Sequence, residues 1–225
     1  MVERPYLAGS SASGNLGAMT TIRRLTDSCL LVAAEVGPVL FDPGFHTFGH
    51  LDLATIGEVR YVAITHEHPD HVHPEFVTWL VDRSSEVTVL ANDAVAGLLE
   101  PHGVEVETSV PEGFTAEDVL HERLPNGTAP PNRAWTVGEV FTHPGDSYQP
   151  SHTAPVLALP LVTPWGSMTA AVEFARRLRP RYVVPVHDFY LSDTGRAKIS
   201  GMAAGVLAEA GIELLPLDWG DETTL

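Results

Sequence analysis

Four of the six residues from 66 to 71 are histidine or aspartate: His66, His68, Asp70 and His71, in the string His-Glu-His-Pro-Asp-His. Neutral imidazoles and a carboxylate are the donors that a borderline cation such as zinc accepts, at about 2.0–2.2 Å. His66 and His68 are separated by one residue and can reach one ion. Asp70 and His71 lie further round the turn and can reach a second. Pro69 keeps the chain from continuing smoothly as strand or helix. The five residues before the string, Tyr61-Val62-Ala63-Ile64-Thr65, are β-branched, aromatic or small with no polar alternation. That is the pattern of a strand covered on both faces. Ligands on a loop that leaves a rigid strand describe a metal site, where a solvated histidine cluster would need no such support.

The string resembles the His-x-His-x-Asp-His signature of the metallo-β-lactamase fold superfamily, matched in full. The resemblance implies an αββα sandwich and a two-zinc hydrolase, with further ligands downstream. Asp146, in Gly145-Asp146-Ser147 after a β-rich run, matches the carboxylate that bridges both metals in the superfamily. Its two oxygens can hold cations about 3.5–4 Å apart. His187, in Pro185-Val186-His187, looks like the superfamily's final ligand. His121 stands 25 residues before Asp146, near the spacing the superfamily gives its third histidine, and His143 competes for that role from His143-Pro144-Gly145-Asp146. Asp42, in Asp42-Pro43-Gly44, resembles an aspartate that holds the ligand loop without binding metal. Forming the turn would by itself account for it equally well. The downstream motifs are similar to a branch that includes ascorbate-phosphate lactonase and the N-acyl-phosphatidylethanolamine phospholipase D-like proteins. The chain departs from that branch at Thr26-Asp27-Ser28, where Gly-His-Ser is common.

What the resemblance implies is a division of labour. His66, His68 and His121 would hold the first zinc, Asp70, His71 and His187 the second, and Asp146 both. A water shared by two cations is acidified from about 15.7 towards 7, and it would attack a lactone or ester carbonyl or a phosphodiester. Asp70 would orient that water or return a proton to the leaving group. Iron or manganese could take the same donors. A di-iron redox protein on the same fold is the first alternative; such proteins usually carry Glu at the position of His68. A non-catalytic metal-binding module is the second, and would be expected to lack a ligand. Phe45, His46, Trp165, Asp188 and Tyr190 neighbour the ligands in sequence and are the candidates for a substrate pocket.

The elements that must position these residues follow from the rest of the chain. Its 225 residues suffice for one sizeable core, expected over residues 19–225, with the Gly-, Ser- and Ala-rich residues 1–18 as a tail. Acidic residues outnumber basic ones 29 to 13, for a formal charge of −16. That balance argues against nucleic acid or an anionic membrane as partner and leaves a small-molecule substrate. The single cysteine, Cys29, excludes an internal disulfide and is expected in the core. No apolar run approaches the roughly 20 residues of a membrane span, and the cytoplasm is the expected compartment. Short strands are expected between residues 20 and 44, then a loop carrying His46 and His50. Beyond the metal string come a helix from Pro74, a strand over 87–90 and a helix capped by Asn92. Residues 110–135 read as mainly irregular, with a strand over 135–141. Strands over 155–160 and 181–186 flank a helix ending at Leu178, and a helix over 194–210 and a strand over 212–217 complete the alternation that favours α/β architecture.

Overall fold

A computed structural model describes residues 19–225; the tail expected at 1–18 lies outside them. The first half runs β1 (Thr21–Thr26), β2 (Cys29–Ala34), β3 (Gly37–Phe41), α1 (Phe45–His50), β4 (Tyr61–Ala63), α2 (Pro74–Arg83), β5 (Thr88–Leu90), α3 (Asp93–Leu99) and β6 (Val106–Glu107). The second runs β7 (Phe114–Leu120), β8 (Pro131–Val137), β9 (Phe141–His143), β10 (Val156–Pro160), α4 (Met168–Leu178), β11 (Tyr182–Val186), α5 (Asp193–Ala208), β12 (Glu213–Leu214) and β13 (Glu222–Thr224). One sheet has the order β13-β1-β2-β3-β4-β5-β6 and the other β12-β11-β10-β9-β8-β7. β3 to β6 are mutually parallel, as are β9 to β12, while β1, β2 and β3 alternate in direction, as do β7, β8 and β9.

Three apolar layers hold these parts together. Ile22, Val32 and Phe41 of the first sheet meet Trp135, Phe141 and Val184 of the second in a central core. The outer face of the first sheet, through Leu40, Val62 and Val89, is covered by Phe76, Val77 and Leu80 of α2 and by Val95 and Leu99 of α3. The outer face of the second, through Leu157 and Val183, is covered by Val172 and Phe174 of α4 and Leu207 of α5. This is the αββα sandwich. Helix α2 begins on Pro74, α3 on the Asn92 side chain, which accepts from the Val95 N–H, and α4 on Ser167, which accepts from Ala170. Among the described residues no helix is long and apolar enough to cross a membrane.

Three segments differ from the sequence expectation. Residues 45–50 form a short helix, α1, because Thr47 and His46 are drawn inward and the Thr47 hydroxyl bonds that of Thr26 at 2.6 Å. Residues 114–120 form a regular strand although polar residues interrupt its pattern: β7 is an edge, and Glu117 and Asp118 are used outside the core by Ser151 and Arg133. The expected strand over 135–141 breaks at Gly138, whose φ of 53° turns the chain from β8 into β9.

Cys29 is buried among Leu40, Ile64 and Val72. Burial pushes its thiol well above the ordinary range. The native protein should therefore give no reaction with a disulfide-exchange reagent at pH 8, and one equivalent after unfolding in guanidinium. Prompt reaction of the native form would place Cys29 at a solvent-accessible position.

Candidate metal centre

Each segment of interest leaves the carboxyl end of a strand, the end at which open α/β sheets present their ligands. Asp42 follows β3, His66 to His71 follow β4, His121 follows β7, Asp146 follows β9 and His187 follows β11. Two groups result. In one, donor atoms of His66, His68, His121 and Asp146 lie within 4.8 Å of one another; in the other, those of Asp70, His71, Asp146 and His187 do so. Asp146 belongs to both. Its Oδ2 is 3.2 Å from His121 Nε2, 3.2 Å from His187 Nε2 and 3.9 Å from His66 Nε2, while its Oδ1 is 3.1 Å from His71 Nε2.

Local structure forces these approaches. The carbonyl of Asp70 lies where a Cβ on Gly44 would stand, so the turn after β3 can press against the metal loop only with glycine there. Gly145, at φ 62°, likewise has Asn132 and Thr65 in the space of a side chain. Asn132 then fixes the turn from both sides, accepting from the Asp146 N–H at 3.1 Å and donating to the Pro144 carbonyl at 2.9 Å. The indole of fully buried Trp135 donates to the Ile64 carbonyl at 3.0 Å, tying the second sheet to the root of the metal loop.

Hydrogen bonds behind the imidazoles choose their tautomers. Asp42 accepts from the Thr65 N–H and hydroxyl, each at 2.8 Å, and from His71 Nδ1 at 2.7 Å. Having given its proton to Asp42, the Thr65 hydroxyl accepts from His66 Nδ1 at 3.0 Å. His121 Nδ1 donates to the Glu122 carbonyl at 2.5 Å and His187 Nδ1 to the Val162 carbonyl at 3.2 Å. In all four rings the Nδ1 proton is thus engaged from behind, which leaves the Nε2 lone pairs facing Asp146. His71 Nε2, His121 Nε2 and Asp146 Oδ1 are buried and make no hydrogen bond. Buried polar atoms are ordinarily satisfied, and lone pairs converging without donors suit a cation. The residues present fit two divalent ions.

In the metal-free chain the carboxylates draw protons onto two of these nitrogens, those of His71 and His187, at positions a cation would take. Burial raises the cost of charge on Asp146, but His71 and His187 outweigh it and hold the carboxyl well below its usual range. Burial acts upward on Asp70 too, and His71 and His187 again draw it down. At His71 and His187 burial opposes a proton, yet Asp146, with Asp42 and Asp70 at His71 and with Asp70 and Asp27 at His187, lifts both well above the usual histidine range. Burial, then the neighbouring imidazole of His71 or His121, keeps His66 and His68 low. The sign of the pH effect on the metal-free chain follows. The raised histidines contribute stability that is full below their unfolded value of about 6.5 and is lost as pH rises through their folded values. The depressed carboxyls contribute above about 3.8 and lose it as pH falls through theirs. His66 and His68, held low, act the other way and contribute only above about 6.5. Urea midpoints of chelator-treated protein should accordingly peak near about pH 6.5 and fall on both sides; a midpoint rising steadily to pH 9 would contradict this charge arrangement.

His143 stands apart from both groups. Its Nε2 donates to the Ser28 carbonyl at 2.9 Å, its Nδ1 accepts from the Gly145 N–H at 3.1 Å, and its ring stacks on Phe41. His121→Ala should therefore lower zinc content and activity sharply, whereas His143→Ala should leave close to two ions per chain. The reverse outcome, read by elemental analysis, would move the third histidine to His143.

The pocket candidates divide. Trp165 lies against the centre, its Nε1–H donating to Asp146 Oδ2 at 2.9 Å. Phe45 and Tyr190 are exposed, with the buried His46 ring between them. Asp188, chosen as a pocket residue for its place beside His187, is instead buried in an ion pair with Arg24 at 2.6 Å. A carboxylate that close to a guanidinium is spent on structure. Asn132 carries no local sequence signal, because its partners Pro144 and Asp146 lie 12 and 14 residues ahead, and Thr65 gives none because its carboxylate partner, Asp42, lies 23 residues back. Asp27, at φ 48°, supports the final-ligand loop: its carbonyl accepts from the His187 N–H at 3.4 Å and its Oδ1 from the Phe189 N–H at 3.3 Å.

A family model described as a beta-lactamase superfamily domain matches residues 21–187. Protein Rv0786c of Mycobacterium tuberculosis is 29% identical over 184 residues, covering 75% of this chain and 84% of its own. Among solved structures, Igni18, a metallo hydrolase from Ignicoccus hospitalis, superposes with a TM-score of 0.70 at 15% identity, over 92% of this chain and 99% of that one. CmlA, a diiron β-hydroxylase from Streptomyces venezuelae, gives a TM-score of 0.59 at 15% identity, over 92% of this chain and 54% of that one.

Proposed function

The chain belongs to the beta-lactamase superfamily, and from that premise we propose that it is a metal-dependent hydrolase of a small-molecule ester, lactone or phosphodiester. His66, His68 and His121 would hold one zinc, Asp70, His71 and His187 the other, and Asp146 both. The observation that supports this most is the pair of four-residue groups sharing Asp146, with tautomers already set to present lone pairs. Bound there, two cations supply an acidified water, from about 15.7 towards 7, and polarise the oxygen of the scissile bond.

The chain's own groups have distinct tasks. Asp70 has the most exposed side chain of the carboxylates in the groups, 24% against 2% for Asp146, and its Oδ2 is 3.4 Å from His187 Nε2. Asp70 would take a proton from water and hand it to the leaving group. Asp42 holds His71 in one orientation, and Thr65 does the same for His66. Trp165 fixes one oxygen of Asp146 and covers that flank of the site.

The test is reconstitution of chelator-treated protein with zinc, manganese or iron, followed by elemental analysis and assay on an ester, a lactone and a phosphodiester. Two ions per chain and chelator-sensitive hydrolysis of at least one class are expected. A fully loaded protein inert on all three, with an iron form that consumes oxygen, would replace the hydrolase by a redox function of the kind CmlA's name describes.

A further inference from the structure

His143-Pro144-Gly145-Asp146 ends on the carboxylate common to both donor groups, yet His143 itself belongs to neither. Its ring is fully buried and stacks on Phe41 with centroids 5.7 Å apart. Both nitrogens are engaged, and each bond runs to a backbone turn. The first turn is its own. Pro144 has no N–H to give, and Gly145 takes a left-handed φ of 62°. Four other backbone groups there are held. The Gly145 N–H donates to His143 Nδ1 at 3.1 Å, the Asp146 N–H to Asn132 Oδ1 at 3.1 Å, and the Pro144 carbonyl accepts from Asn132 Nδ2 at 2.9 Å. The Asp146 carbonyl accepts from the Glu122 N–H at 2.8 Å. Asn132 lies in β8 and Glu122 just after β7, so their bonds stay within the second sheet and its loops. His143 leads out of it.

Its Nε2–H donates to the Ser28 carbonyl at 2.9 Å, in the turn between β1 and β2 of the first sheet. That second turn holds the last ligand. Asp27, next to Ser28, is 2% exposed and sits at φ 48°. Its carbonyl accepts from the His187 N–H at 3.4 Å and its Oδ1 from the Phe189 N–H at 3.3 Å. A continuous path therefore runs from Gly145 through the His143 ring to Ser28, Asp27 and His187. At the other side of the same loop of contacts, Asp146 Oδ2 and His187 Nε2 stand 3.2 Å apart. Imidazole suits this place because one rigid ring carries an acceptor on one edge and a donor on the other. The bonds require the Nε2–H tautomer, the opposite of the Nδ1–H form in the four rings bonded from behind.

We propose that His143 is a positioning residue: as a strut between the Asp146 turn and the Asp27-Ser28 turn, it sets the distance between the bridging carboxylate and His187. Its role in holding an ion rests on the hydrolase reading above. Two substitutions divide the strut. Asparagine puts an amide oxygen near the place of Nδ1, so it keeps the acceptor for Gly145 and loses the reach to Ser28. Glutamine puts an amide nitrogen near the place of Nε2, so it keeps the donor to Ser28 and leaves Gly145 without an acceptor.

The experiment compares wild type, His143→Asn and His143→Gln. In metal-free protein, hydrogen exchange of the His187 and Phe189 amides should be about tenfold faster in both variants. The His121 amide, which donates to the Pro130 carbonyl at 2.9 Å and is not on the path, should stay within about twofold. In zinc-loaded protein with zinc in excess, each variant should keep close to two ions. Against a competing chelator, each should release one ion at about tenfold lower chelator concentration than wild type and keep the other as wild type does. Wild-type exchange and zinc retention in His143→Asn would reduce the residue to a local brace of its own turn and overturn the strut. The same result in His143→Gln would leave only the Ser28 bond at work and overturn it equally. Faster exchange at His121 in step with His187 would mean general loosening, and would also overturn it. A wild-type chain that retains no zinc would overturn the hydrolase reading, and exchange at His187 and Phe189 would then decide the strut alone.

Discussion

Asp146→Asn should reduce zinc content from two ions per chain to one or fewer and lower kcat/KM about a thousandfold or more. Asparagine keeps the shape and can still accept the Trp165 N–H, so the substitution removes charge and leaves packing nearly unchanged. The backbone turn should survive as well, because Asn132 grips the amide N–H of residue 146 and the Pro144 carbonyl, neither of which depends on the carboxylate. What disappears is the one anion common to both donor groups. His121 and His187 face one oxygen and His71 the other, so neither group keeps a charge to offset a divalent ion beyond Asp70 in the second. Elemental analysis and circular dichroism on the same preparation separate loss of metal from loss of fold. Two tightly held ions in Asp146→Asn would mean that the carboxylate does not bridge.

The contrast between Asp146 and Asn132 shows what the sequence could and could not reveal. His66, His68, Asp70 and His71 were legible because they crowd six positions after an apolar strand, and metal ligands are the simplest reason for such crowding. Asp146 and His187 were legible only through resemblance, since a lone Asp or His after a strand has many ordinary uses. Asn132 gave no signal. It lies in a proline-rich stretch, and its two bonds reach 12 and 14 residues ahead, so only the folded turn reveals them. The same applies to β7, where edge position lets acidic residues interrupt the hydrophobic alternation that marks a half-buried strand. Asp188 shows the opposite failure. Sequence adjacency to His187 suggested a pocket residue, but successive side chains leaving a strand point in different directions, and this one points to Arg24.

That pair carries the second large effect. Arg24 of β1 and Asp188 have side chains only 3% and 4% exposed and meet at 2.6 Å, with the Trp219 N–H adding a contact to the same carboxylate oxygen at 3.3 Å. Asp188→Ala strands a buried guanidinium whose Nε already lacks a partner, and should cost about 3–5 kcal/mol in urea unfolding of the metal-free chain. The cost should reach the centre too. His187 holds a left-handed backbone at φ 65°, a conformation that costs a non-glycine residue about 1–2 kcal/mol and persists only when its neighbours fix it. With Asp188 released, the turn can relax and carry His187 Nε2 out of the second group, so metal content should fall from two towards one under conditions where the variant is still folded. Arg24→Met should also destabilise, by leaving Asp188 buried with only Trp219. The double variant Arg24→Met/Asp188→Leu removes both charges and should recover much of the loss in stability, as replacing a buried pair by apolar side chains often does. It should not recover the second metal, because the pin on the His187 turn is still missing. Additive losses in the double variant would show that the two residues are not coupled. Full metal content in Asp188→Ala would show that the bonds of His187 to Asp27 and Val162 hold the turn without help.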